Sequence, residues 1–320
     1  MNFNDPLDTA PDASVSTLGK LEHTARKQGY VAVAVAVLLL ALYQISQRLP
    51  SNQWTILLTT FLSLPITIVF AVAVARSMSN RLTLALCGMV SLFIFLPVSL
   101  GRVLIAANPS LLKSPFIPVL RVLVILYGAV PGLGPLLLIV AAAVLGVLVS
   151  LLVKEMKILL PMAAVLALMD LWVVFGGGLV HTAVHAPPQK AAVAKTAMRA
   201  FSATLPTVKP PARGAEPLAA SVGFADFLFI SLFFACFSRF DVSEKRILAT
   251  QIVLVSVLTV YMGLVYALGS DLPALVPISI VIVAMNMKEF RYTRSELFAL
   301  AYACVFMVLL LGGFWWLGRR

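Results

Sequence analysis

Long runs of apolar residues, separated by short polar stretches, dominate the chain. Most runs are long enough to cross the roughly 30 Å of bilayer hydrocarbon as a helix. Backbone groups in lipid must bond within their own segment, so the runs predict helices and not open strands. The ten runs are Tyr30–Ile45, Trp54–Ala75, Leu82–Ala107, Pro115–Val130, Leu133–Val153, Ile158–Val180, Leu218–Phe240, Ile247–Gly269, Leu272–Met287 and Leu297–Leu317.

The pattern predicts an all-α, polytopic bundle of nine or ten membrane-spanning helices. The count depends on Pro131–Pro135, which we interpret as a turn between two short helices, with a kink in one long helix as the alternative. Basic residues fall almost equally on the two sides of a ten-span arrangement. The positive-inside rule therefore does not fix the orientation.

One substantial hydrophilic stretch divides the chain. It predicts a polar tail at residues 1–28, six spanning helices within 29–180, a hydrophilic loop at 181–217, and three helices plus an additional carboxyl-terminal span within 218–320. Apolar residues recur at every fourth position over Lys190–Leu205, which predicts a short amphipathic helix lying in the membrane interface. Pro206–Pro217 is rich in proline and glycine and predicts a flexible linker.

Composition narrows the class of protein. Of the 320 residues, 61% are hydrophobic and only 12% charged, which excludes a soluble enzyme and indicates a protein embedded in a lipid bilayer. The net charge of +11 comes from residues that flank the apolar runs, so it indicates membrane interfaces and not nucleic acid. His181 and His185 have no third ligand nearby, and no cysteine pair has metal-ligand spacing. We therefore expect no metal and no cofactor.

Two aspartates interrupt apolar runs and are the candidate functional residues. Asp170 and Asp226 are expected near mid-depth of their helices, where a carboxylate costs roughly 2.5–3.5 kcal/mol on insertion scales. Such a residue is tolerated where it faces a partner, a cavity or water, and each aspartate is the simplest partner of the other. Two carboxylates in one dry site share a proton, as in the aspartic proteases. The same pair could also relay protons or cations in a transporter, and the two residues alone do not decide between catalysis and transport.

A proline-containing segment favours catalysis. Leu272-Pro-Ala-Leu275 opens the ninth run, and Pro273 and Pro277 both disturb the helix start. Three features follow one another along the chain. Asp170 is on the sixth run, Gly223-Phe-Ala-Asp226 on the seventh, and the Pro-Ala-Leu segment on the ninth. This arrangement resembles the presenilin and signal peptide peptidase family of intramembrane aspartyl proteases, which carries Tyr-Asp, Gly-x-Gly-Asp and Pro-Ala-Leu motifs on those helices. The similarity covers roughly Ile158–Met287.

The resemblance implies an aspartic endopeptidase that hydrolyses peptide bonds within membrane-spanning helices, with Asp170 and Asp226 activating a water. It also implies that substrate contacts come from Gly223 and Ala225 and from the segment Pro273, Ala274 and Leu275. Carbonyls freed by the prolines would pair with an extended substrate strand. A compact member of the prokaryotic type would lie in the plasma (inner) membrane, and whether it needs partner subunits does not follow from the sequence.

The chain also departs from the family pattern. Met169 replaces the tyrosine before the first aspartate, Ala225 replaces a glycine, Val276 is inserted after Pro-Ala-Leu, and an apparent tenth span follows. The alternatives are a catalytically inactive presenilin-like protein, a proton- or cation-coupled secondary transporter, and a membrane scaffold. No inverted repeat supports the transporter.

Overall fold

The computed structural model describes residues 11–50, 52–78, 81–108, 130–175, 187–206, 221–268, 272–290 and 292–318, with single positions at 118, 122 and 125. Over these residues the chain is an all-α helical bundle with one short β-hairpin, which confirms the predicted fold class. The helices are α1 (Pro11–Ser46), α2 (Gln53–Ser77), α3 (Arg81–Val90), α4 (Leu96–Ala107), α5 (Leu133–Leu152), α6 (Leu159–Phe175), α7 (Pro188–Ala200), α8 (Phe224–Arg239), α9 (Glu244–Leu268), α10 (Leu275–Asn286) and α11 (Arg294–Gly318).

Six stretches of the described chain are long and apolar enough to cross a membrane, as expected of a multi-pass membrane protein. One of them runs through α3 and α4, which a five-residue π-helical segment, Ser91–Phe95, joins into one helix. The six are Thr24–Ser46, Trp54–Ser77, Thr83–Ala107, Leu133–Leu152, Met156–Val174 and Glu244–Leu268.

The helices begin and end at residues that differ in places from the predicted segments. Helix α1 begins at Pro11, so part of the expected polar tail is helical. Helix α7 ends at Ala200 instead of continuing to Leu205, because the chain turns at Phe201 into a strand. The predicted run Pro115–Val130 and the linker Pro206–Pro217 lie almost wholly outside the described residues.

The turn favoured at Pro131–Pro135 is present. Gly132 has a φ of 90°, a left-handed conformation that favours glycine, and α5 begins at the next residue. A side chain at Gly132 would also collide with the ring of Tyr43, since an added Cβ would lie 2.4 Å from that ring. The turn therefore brings the start of α5 against the end of α1.

A two-stranded antiparallel sheet precedes α8. Strand β1 (Ser202–Thr204) pairs with β2 (Ser221–Gly223), with Ser202 opposite Gly223. The seventh predicted run was expected to be helical from Leu218, but the helix begins only at Phe224. The backbone N–H of Phe224 donates to the carbonyl of Phe201 at 2.9 Å, so the extended pairing continues to the first residue of the helix.

Helix α8 is the centre of the bundle. It packs against α5 and α2 and makes a smaller contact with α10. Every residue from Ile230 to Phe237 is buried, so the helix has no solvent-facing or lipid-facing stripe over this length. A helix buried on all sides fixes the positions of its neighbours.

The contact between α5 and α8 depends on one glycine. An added Cβ at Gly146 would lie 2.5 Å from the carbonyl oxygen of Leu228 and 2.8 Å from the backbone nitrogen of Leu232. Both atoms belong to the backbone of α8 and cannot turn aside as a side chain could. Gly146 therefore sets how closely α5 approaches the central helix.

Ion pairs join the helix termini at one end of the bundle, which we call the ionic end. The buried Arg76, in the last turn of α2, contacts Glu244 at the start of α9 at 2.5 Å and Ser238 in α8 at 3.4 Å. Lys157 before α6 contacts Glu296 in the first turn of α11 at 2.9 Å. Arg246 pairs with Glu289 just after α10. These contacts connect α2, α6, α8, α9, α10 and α11 at one end of the bundle.

We predict that Gly146→Ala lowers stability. The methyl group would force α5 away from α8, and overpacking of this kind costs about 1–3 kcal/mol. Thermal unfolding of the purified protein in detergent measures the effect.

The matched control is Gly312→Ala in α11, where nothing lies within 4 Å of an added Cβ. Both changes gain the same helix propensity, so the difference between them isolates packing. Equal unfolding temperatures for the two variants would contradict the close-packing role of Gly146.

Candidate active site

Asp170 lies in the second half of α6 and reaches the start of α10. Its Oδ2 accepts the backbone N–H of Leu275 at 2.8 Å. Leu275 is the first residue of α10, and Ala274, which precedes it, has no side chain able to cap a helix. Asp170 therefore supplies the amino-terminal cap of a neighbouring helix, and the positive end of that helix stabilises the carboxylate.

The Pro-Ala-Leu segment meets this site through an N–H group. The sequence predicted free carbonyls here, but first-turn residues of a helix leave their N–H groups unpaired, and the carbonyl of Ala274 already accepts the N–H of Ile278 at 3.4 Å. Pro277 is third in α10, where a missing N–H costs nothing. Pro273 is buried, and the next residue, Ala274, is half-buried.

Asp226 lies in the first turn of α8. Its Oδ2 accepts the backbone N–H of Gly223 at 3.0 Å, so the side chain caps its own helix. The expectation that Asp226 lies at mid-helix is wrong, because the residues before Phe224 form β2. An added Cβ at Gly223 would lie 3.3 Å from the same carboxylate oxygen, so glycine leaves room for this contact. Ala225, the other predicted contact residue on α8, is exposed.

Asp170 and Asp226 lie within electrostatic range of each other. The charge of Asp170 acts on Asp226, and α10 packs against both of the helices that carry them. Among the described residues neither aspartate forms an ion pair with lysine, arginine or histidine. The ion pairs found among the described residues are at the ionic end, whereas Asp170 and Asp226 lie toward the opposite end.

Tyr261 was not among the site residues predicted from the sequence. This residue is on α9, three positions beyond the buried Leu258, and continues the stripe that faces α10 and α2. Its hydroxyl is buried and hydrogen-bonds to no described residue. The hydroxyl lies within electrostatic range of both Asp170 and Asp226. The available signal was a polar atom on the buried face of an apolar helix.

Aromatic rings hold the hairpin beside Asp226. Phe95, at the end of the π-helical segment, stacks on Phe224 with ring centroids 6.1 Å apart, and its edge meets Phe201 at 6.2 Å. The hydroxyl of Tyr43 donates to the carbonyl of Thr204, the last residue of β1. The hairpin is thus attached to α1 and to the helix formed by α3 and α4.

Two carboxylates within electrostatic range of each other can share a proton. One oxygen of each carboxylate is occupied by a backbone N–H, and no hydrogen bond to Oδ1 of either aspartate is found over the described part of the chain. In that part of the chain no three histidine, cysteine, aspartate or glutamate side chains come together in a group able to hold a metal ion. No family model matches the chain, and no curated protein or solved structure matches it either.

We predict that Asp170→Ala destabilises the protein more than Asp170→Asn. Alanine leaves the N–H of Leu275 without its acceptor, a loss typical of an N-cap at about 0.5–2 kcal/mol, whereas asparagine caps nearly as well as aspartate. Thermal unfolding of both variants measures the difference. Equal stability of the two would show that the contact with Leu275 does not hold α10 in place.

Proposed function

We propose that this protein is an intramembrane aspartyl protease, which hydrolyses peptide bonds within the membrane-spanning helices of other proteins. The observation that carries the proposal is the pair formed by Asp170 and Asp226. They come from different helices, interact electrostatically, and each accepts a hydrogen bond from a backbone N–H. A pair of half-buried acids without a described cationic partner supplies the functional groups that aspartic proteolysis needs.

The chemistry needs only this pair and a water. The ionised carboxylate accepts a proton as the water oxygen attacks the scissile carbonyl carbon. The protonated carboxyl group gives its proton to the carbonyl oxygen, which forms a neutral tetrahedral diol. The C–N bond then breaks as the amide nitrogen takes a proton from one carboxyl group while a hydroxyl of the diol gives its proton to the other carboxylate, so the dyad returns to its starting state with one proton.

Two features fit a substrate that is a membrane helix. A groove of about 470 Å³ between α6 and α11 is lined only by apolar side chains. Ala167 of this groove is three positions before Asp170 and therefore a neighbour of it on the surface of α6. The lining residues are Ala164, Ala167, Leu168, Val305, Val308 and Leu309.

The hairpin supports the second requirement, an extended substrate. A helix hides its scissile carbonyl, so the cleaved segment must unwind. Strand β2 leads directly into Asp226, and a two-stranded sheet has outer edges that an extended peptide can join. This replaces the pairing expected from the carbonyls of Pro273 and Leu275. For a prokaryotic host, the plasma (inner) membrane is the location that fits this function.

We predict that Asp170→Asn and Asp226→Asn each abolish cleavage. Asparagine retains an oxygen that can cap a helix but cannot exchange a proton with water or substrate. The assay uses purified protein in liposomes with a fluorogenic membrane helix as substrate.

Asp241→Asn is the matched control. Asp241 is exposed, lies in the turn after α8, and has a φ of 55° that asparagine tolerates. The Asp241→Asn variant should cleave the substrate at the wild-type rate. Retained cleavage in either dyad variant would exclude the protease, and loss of proton-driven solute uptake in both would identify a transporter.

We predict that Pro273→Ala slows cleavage without lowering stability. Without the proline, α10 can begin earlier, and the N–H of Leu275 then bonds within the helix instead of to Asp170. Asp170 then loses the donor that orients its carboxylate, and misplacing a reacting group by about 1 Å can lower a rate about 100-fold.

Pro161→Ala provides the control for this change, since Pro161 is in the first turn of α6 at the ionic end. Its cleavage rate should remain that of the wild type. A wild-type rate for Pro273→Ala would show that the segment only starts a helix.

A further inference from the structure

Tyr261 is a further polar residue within electrostatic range of both aspartates. It continues the buried stripe of α9 that contains Leu254 and Leu258, at the end of the helix nearest to Leu275. The same stripe carries Ile247 and Thr250 toward the ionic end. An apolar residue at position 261 would complete this face.

The hydroxyl of Tyr261 is costly where it lies. It is buried and has no hydrogen-bond partner among the described residues. Leaving a buried polar group unsatisfied costs about 1–3 kcal/mol, so phenylalanine would serve packing better. Unsatisfied buried groups in native structures commonly serve catalysis or meet a ligand.

The surroundings identify what the hydroxyl could meet. Asp170 and Asp226 both act on it electrostatically. Each aspartate has Oδ2 engaged by a backbone N–H, whereas Oδ1 of each carboxylate and the Tyr261 hydroxyl have no hydrogen-bond partner in the described part of the chain. Three such atoms are suited to a water and a carbonyl group.

We propose that Tyr261 is a third catalytic residue, whose hydroxyl donates a hydrogen bond to the scissile carbonyl oxygen as that oxygen gains negative charge. This inference rests on the proposed proteolytic function. The two aspartates exchange protons with water and substrate, whereas Tyr261 keeps its proton and stabilises the tetrahedral oxygen. The hydroxyl has no bond to break in the resting site, so its interaction is gained as the reaction proceeds.

The test compares Tyr261→Phe with the wild-type protein in the liposome cleavage assay. Removing one such donor typically lowers kcat about 10²- to 10³-fold. KM should change little, because the contact strengthens only in the transition state. The unfolding temperature should hold or rise, since a buried unsatisfied group is removed. Tyr302→Phe, on an exposed position of α11, is the matched control and should behave as wild type.

A binding measurement adds a readout other than turnover. The probe is a peptide in which a hydroxyl-bearing tetrahedral carbon replaces the scissile carbonyl. Tyr261→Phe should bind it at least about tenfold more weakly, with little change for the parent peptide.

The outcomes separate the two proposals. Wild-type cleavage that is lost in Asp170→Asn but unchanged in Tyr261→Phe overturns the role of Tyr261 and leaves the protease standing. A loss of activity in Tyr261→Phe that accompanies a lower unfolding temperature also overturns it, because the residue then only supports the fold. A wild-type protein that cleaves nothing removes the proposed function and, with it, the role assigned to Tyr261.

Discussion

Carboxylates inside an apolar bundle need hydrogen-bond donors, and here the donors are backbone N–H groups at the starts of helices. Asp226 is held by Gly223 at the beginning of its own helix, and Asp170 by Leu275 at the beginning of a different one. The first-turn N–H groups of a helix have no intrahelical partners and lie at its positive end. The positions where α8 and α10 begin therefore determine where the two acids can lie.

Contacts elsewhere in the bundle fix the positions of the first residues of α8 and α10 relative to each other. At the ionic end, Arg76 and Glu244 connect α2, α8 and α9, and Arg246 with Glu289 connects α9 to α10. The close approach of α5 at Gly146 fixes α8 from the side. At the opposite end the aromatic contacts of the hairpin fix where α8 begins. The two aspartates thus lie near one end of the bundle, and ion pairs connect the same helices at the other end.

Much of this could be predicted from sequence, and the remainder has identifiable physical reasons. Asp170 and Asp226 stood out because acids are rare within apolar runs, and the importance of Leu275 followed from the prolines around it. The start of α8 was not predicted because a short strand and the helix that follows it can form one continuous apolar run, and only the Asp226 cap distinguishes them. Tyr261 was not predicted because a single tyrosine in a spanning helix gives no signal in the sequence. Only the structure shows that its hydroxyl is buried and without a partner among the described residues.

The short length of α8 has a consequence for the lipid around it. Its 16 residues rise about 24 Å, less than the roughly 30 Å of hydrocarbon in an ordinary bilayer. Asp226 precedes Arg239 by 13 positions, or roughly 20 Å, so with Arg239 at one boundary the acid lies about 10 Å from the other. Such a mismatch is relieved by local thinning of the bilayer or by headgroups and water descending toward the hairpin. Hydrophobic mismatch would thus shorten the distance that a water molecule travels to reach the two acids.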